Sequence, residues 1–192
     1  MAVTEAATIT DQVARPDRVT IYGRDSSDGT LRPVAIGTDG RTAASLSGCY
    51  AEATFTPAAS SHTAGYCNGA AGTFALSAPS GCVFMITDAD LYIDSANAMA
   101  TAWRLHLYSV TPPSAIADGA AWDIASGDRA SYLGYVDLGT AVDIGSTQAI
   151  QNAGINRAIK LAGTSVFGYL VNLTTLTTEA VAHRVRLKGV PV

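Results

Sequence analysis

Charge is scarce in this sequence. Asp, Glu, Lys and Arg make up 15% of its 192 residues, against roughly 25% in an ordinary globular domain. With 12 basic and 16 acidic side chains the net charge is −4. Dispersed Lys and Arg on a mildly acidic chain leave no footprint for a phosphate backbone, which argues against nucleic acid as a direct ligand. The chain is 48% hydrophobic with a mean hydropathy of +0.21, and a surface this short of charge is expected to be partly covered in an assembly.

Other absences narrow the classes further. Met1 to Asp17 has neither the basic start nor the apolar stretch of a secretory signal, so synthesis and folding in a cytoplasm are expected. No apolar run approaches the roughly 18–20 residues a membrane span needs; Cys82 to Ile86 and Val166 to Leu173 have strand length. The cysteines are Cys49, Cys67 and Cys82, with no Cys-x-x-Cys pair. That argues against zinc and points to buried reduced thiols. A disulfide among the three after release into an oxidising medium would leave one thiol over in each chain. A chain of this length buries a sufficient core by itself, so no cofactor is expected.

Catalytic signatures are equally thin. The only histidines are His62, His106 and His183, and no Gly-x-Ser-x-Gly elbow is present. His106 and His183 fall in strand patterns, where surface histidines are the expected reading. The only glutamates are Glu5, Glu52 and Glu179, and Asp88, Asp90 and Asp94 read as an exposed edge or loop boundary, not a glycosidase pair. Asp25 to Gly29 lacks the remaining ligands of a calcium loop and is read as a turn. Gly65, Gly69 and Gly72 lack the context of a phosphate cradle, and Asn172-Leu173-Thr174 matches a glycosylation acceptor without consequence in a chain that has no secretory signal. No enzyme activity is expected.

What the sequence does contain is strand patterning. Val19 to Tyr22 and Leu31 to Ile36 flank Asp28-Gly29 as a hairpin, after an arm over residues 1–18 that carries Arg15-Pro16-Asp17. From Tyr50 onward short apolar runs alternate with Gly, Ser, Pro and Asp clusters, the spacing of sandwiches and barrels. In Trp103 to Tyr108, Trp103, Leu105 and Leu107 face the core while Arg104, His106 and Tyr108 meet solvent or a partner. In His183 to Lys188, Val185 and Leu187 point inward and Arg184, Arg186 and Lys188 outward. The runs at Cys82–Ile86, Ala89–Ile93, Tyr132–Leu138, Ile155–Leu161 and Val166–Val171 suit central strands. Residues 115–123 accommodate one helical turn within a crossover, and residues 51–72 read as a loop-rich stretch of small residues. The expected fold is all-β, a jelly-roll-like antiparallel sandwich over residues 49–192, preceded by the arm at 1–18 and a hairpin module at 19–48.

The layout from Phe55-Thr56-Pro57-Ala58-Ala59 and His62-Thr63-Ala64-Gly65-Tyr66, through Gly69-Ala70, Leu91 and Leu105-His106-Leu107-Tyr108-Ser109-Val110-Thr111-Pro112-Pro113, to Ala117-Asp118-Gly119-Ala120-Ala121-Trp122 and Tyr132-Leu133-Gly134-Tyr135-Val136 resembles the β-sandwich virion proteins of tailed bacteriophages, the head decoration or cement proteins. The hairpin with Pro33-Val34 and Asp39-Gly40 is similar to their N-terminal module. Cys67 in Tyr66-Cys67-Asn68, and Cys82 after Gly81, depart from the family's layout. The resemblance implies a capsid-surface protein, a small homo-oligomer that binds across major capsid subunits, with no catalytic residue to carry over; a homotrimer is expected. A rival expectation is a tail or fibre component that binds a host glycan through Trp103 or Trp122. A second is a virion-associated hydrolase using one of the three histidines.

Overall fold

The computed structural model describes residues 49–192 apart from 77, 96, 98 and 100, together with the backbone of 21–24 and 31–34. The chain divides into two units, Met1–Leu46 and Ser47–Val192. In the first, β1 (Ile21–Arg24) pairs antiparallel with β2 (Leu31–Val34), as the hairpin pattern predicts; the arm at 1–18 and the turn at Asp25 to Gly29 lie outside the described residues.

The second unit is all-β and antiparallel. Its strands are β3 (Cys49–Phe55), β4 (Ser61–His62), β5 (Gly72–Ala75), β6 (Val83–Ile93), β7 (Ala102–Tyr108), β8 (Tyr132–Thr140), β9 (Val142–Asp143), β10 (Gln148–Lys160), β11 (Ser165–Asn172), β12 (Leu176–Thr177) and β13 (His183–Pro191). One sheet runs β3-β13-β6-β10-β9 and the other β5-β11-β7-β8, with β4 and β12 as a small separate pair. Four pairings nest inside one another: β3 with β13, β5 with β11, β6 with β10, and β7 with β8. This is the pairing of one long antiparallel ribbon folded over itself. The inward faces meet in a core that includes Phe55, Phe84, Leu91, Trp103, Leu105 and Leu187, each 0–1% exposed. Leucines, with β-branched and aromatic residues among them, fill it from alternate positions along the strands, as a pleated surface buried on one side requires.

Several elements differ from the sequence reading. Residues 49–55 form an edge strand with strict alternation, Ala51, Ala53 and Phe55 buried and Tyr50, Glu52 and Thr54 exposed; alanine's weak strand preference hides that alternation. The runs at Cys82–Ile86 and Ala89–Ile93 join into the single strand β6, which continues through Asp88 and Asp90 as the centre of its sheet. β8, expected to be central, is a sheet edge. Residues 115–123 contain no helix; a short 3-10 turn lies instead at Ser126–Asp128.

The seam where β10 faces β8 is built with care. The register of β10 breaks between Ala153 and Arg157, where Gly154 (φ 77°) and Asn156 (φ 50°) take the left-handed backbone region. This bulge re-aims Arg157, whose Nη2 donates to the Leu133 carbonyl at 2.6 Å. The guanidinium fills the space beside Gly134 (φ 94°), where a Cβ would come within 2.0 Å of Nη2. Asn152 Nδ2 donates to the Asp137 carbonyl at 2.7 Å. Two side chains of one sheet thus cap two edge carbonyls of the other.

Candidate functional site

The connection from β7 to β8, residues 109–131, is longer than most loops of compact domains. It lies as a strap across the outer face of β5-β11-β7-β8. Beneath it is a second apolar cluster of Cys67, Tyr108, Tyr169 and Val171, against which Ile116, Trp122, Tyr132 and Phe167 pack. At His106 and Tyr108, 4% and 1% exposed, the outward face of β7 therefore meets the strap of its own chain, where solvent or a partner was expected. Trp122 stacks on His106 with ring centroids 3.6 Å apart, and the Tyr132 hydroxyl lies 2.9 Å from His106 Nδ1. Burial and the neighbouring Arg104 charge, offset in part by Asp137, push His106 down to about 4. The ring is neutral at physiological pH.

The strap is clamped by Asp118. Its Oδ2 accepts from the Ala58 amide at 2.8 Å, and its Oδ1 accepts from the Gly69 amide at 2.6 Å and from His62 Nε2 at 3.2 Å. Burial alone would raise this carboxyl, but the two amides and the imidazole together hold it below the usual carboxylate value. Main-chain bonds from Cys67 to the Ala120 carbonyl, from Gly119 to the Cys67 carbonyl and from Trp122 to the Gly65 carbonyl, at 2.9 Å each, finish the seating.

His62 brings a hydroxyl and a carboxylate together, the trio a hydrolase would need. Thr178 Oγ1 lies 2.9 Å from His62 Nδ1 on the side opposite Asp118. Yet Thr178 is 1% exposed, and its hydroxyl oxygen lies 2.6 and 3.0 Å from the carbonyl oxygens of Ala58 and Ser60, which compete with the imidazole for its one proton. A hydroxyl sealed from solvent and committed to backbone carbonyls cannot meet a substrate; the trio ties three loops at one end of the sandwich. Asn172, fully buried, serves the same end, donating to the carbonyls of Thr63 and Thr174 and accepting from Asn68 Nδ2 at 2.8 Å. Its burial removes it as a glycosylation acceptor.

His183, expected on the surface, is fully buried because it shares strand parity with Val185 and Leu187. It sits edge-on to Trp103 at 5.3 Å, and neither ring nitrogen has a hydrogen-bond partner. Burial, reinforced by His62 and opposed by Asp118, pushes it down to about 4. Trp103 is itself 0% exposed, and Trp122 lies half-buried against His106, so neither tryptophan presents a loop-end platform for sugar. Of the disulfide candidates, Cys49 is buried in the main core, Cys67 is a free thiol sealed in the second cluster, and Cys82 is a half-buried free thiol. Burial and the Asp118 charge push the Cys67 thiol up to about 12.

Within the second unit no described segment crosses the outer face of the other sheet as the strap crosses this one. Its outer face carries Arg186 paired with Glu52 at 2.6 Å, Lys188 with Asp90 at 2.6 Å, and Arg184 with Asp94 at 2.9 Å. Arg186 also lies over the Tyr92 ring at 5.3 Å. Asp90 retains only 5% of its side-chain exposure under Lys188, which corrects its reading as an exposed edge carboxylate. No group of His, Cys, Asp and Glu among the described residues is arranged to hold a metal ion, and no described helix is long and apolar enough to cross a membrane. Comparison with protein-family models and with curated proteins finds no match to this chain.

Proposed function

We propose that the chain is a structural protein of a tailed-phage virion, a decoration or cement protein that binds across major capsid subunits and stabilises the head without catalysis. The observation that carries this reading is the division of labour between the two sheets. Most of the residues that bear the family resemblance, His62 to Tyr66, Leu105 to Pro113, Ala117 to Trp122 and Tyr132 to Val136, belong to the strap or to the bed it lies on, while Phe55 and Leu91 stand in the opposite sheet. They are spent on rigidity, with the polar trio internal and the aromatic rings stacked, while the opposite sheet offers an open face of low net charge. The nested strand pairing supports the jelly-roll form of the sandwich. A rigid plate of this kind strengthens a shell by bridging several subunits, where each weak contact is multiplied by effective concentration. A homotrimer suits that geometry.

The test is co-sedimentation of the purified full chain with empty capsids, with bound copies scored against the major capsid subunit. Saturable binding at a fixed ratio is the expected outcome. Absence of binding at saturating protein refutes a head location.

A further inference from the structure

The outer face of β3-β13-β6-β10 is a grid of side chains fixed by strand register. One row reads Tyr50, Lys188, Asp88, Ala153; the next Glu52, Arg186, Asp90, Gln151; the third Thr54, Arg184, Tyr92, Ala149. All three basic residues stand on β13 and the acidic residues of β6 stand beside them, while β3 carries the bulky Tyr50, 68% exposed, and β10 the small Ala149 and Ala153.

We propose that this face binds a second copy of the chain through a two-fold axis parallel to the strands, between β13 and β6. Such an axis lays β13 on β6 and β3 on β10. Lys188 then faces Asp88 of the second copy, Arg186 faces the Asp90 carboxylate with the Lys188 ammonium that covers it, and Arg184 faces the Tyr92 ring, as cation and ring favour. Glu52 meets Gln151, Thr54 meets Ala149, and the exposed Tyr50 ring covers Ala153. Lys188 with Asp88 and Arg184 with Tyr92 are complementary in charge, Tyr50 with Ala153 in size, and Glu52 with Gln151 in hydrogen bonding. An axis across the strands would instead set Arg186 on Arg186 and Asp90 on Asp90, and an axis moved onto β13 would set Glu52 on Asp90. The grid selects one pairing, and because a two-fold contact is isologous, each complementary pair occurs twice.

Four strands at about 4.8 Å spacing and three outward residues along each give roughly 400 Å² per copy. That is about half of a standard interface, so the pairing is weak in free solution. The contact is distinct from a three-fold one, and trimers closed elsewhere would be joined through it in pairs. It stands whether or not the protein binds capsids.

Sedimentation velocity of the full chain from about 10 µM to 1 mM tests it. The expected result is a species of twice the smallest mass, growing with concentration and weakened by salt. Tyr50→Ser and Ala153→Arg, both at exposed positions outside the in-plane ion pairs, are each expected to weaken the doubling at least about tenfold. Lys188→Glu and Asp88→Lys each place like charges across the axis and are expected to abolish it alone, whereas their equimolar mixture restores it. Absence of doubling in the parent chain, or doubling that survives both Tyr50→Ser and Ala153→Arg, overturns the proposal.

Discussion

Acid should destabilise the sandwich well before its carboxylates titrate. His106 and His183 are both held near pH 4 in the fold, against about 6.5 in an unfolded chain. Above pH 6.5 neither state binds the protons, and the stability of the neutral rings is fully present. As the pH falls below 6.5 the unfolded chain takes up protons that the folded chain refuses, so stability is lost progressively down to about pH 4. At pH 4.5 each histidine accounts for about 2–3 kcal/mol, a large share of the roughly 5–15 kcal/mol typical of a domain. Asp118, held below the ordinary carboxylate value, titrates beneath this window. Because neither ring nitrogen of His183 has a hydrogen-bond partner, His183→Leu loses no polar contact. It should therefore stay within about 1 kcal/mol of the parent at pH 7.5. At pH 4.5 it should exceed the parent by about 2 kcal/mol. Urea titrations followed by tryptophan fluorescence measure this directly, since Trp103 and Trp122 both lie in the sandwich. An equal fall in urea midpoint for parent and variant between pH 7.5 and 4.5 would refute the reasoning.

Asp118→Ala removes the acceptor of two backbone amides and one imidazole and should cost about 2–4 kcal/mol. Hydrogen exchange is expected to quicken at Ala58 and Gly69 and along the strap, with β6 and β11 protected until global unfolding. Cys67, sealed and with its thiol pushed up to about 12, should resist thiol reagents in the native protein while Cys82 reacts; native labelling of Cys67 at the rate of Cys82 would show that the strap opens readily.

Periodicity made the sheets legible where large side chains carry the alternation. Trp103-Leu105-Leu107 and Val185-Leu187 announce inward faces, and both strands lie as expected. β3 escaped because its inward residues are mostly Cys and Ala, which resemble loop composition. The candidate site was harder to read, since burial there is decided by chain segments distant in sequence. Parity alone would have placed His183 inside with Val185. Nothing local to Arg104-His106-Tyr108 reveals that a connection beginning just after it folds back over the same strand. Asp118-Gly119 reads as an ordinary turn, and only contact with Ala58, His62 and Gly69, some 49–60 residues earlier, makes it a clamp.

The guarded seam between β8 and β10 bears on how such a molecule survives crowding. An open strand edge is a template that identical neighbours can extend without limit, and copies brought to high local density would nucleate fibres from it. Here the template is spoiled twice, by a kink in one edge and by foreign donors seated on the carbonyls of the other. Along this seam the sandwich therefore offers an identical neighbour no free ladder to extend.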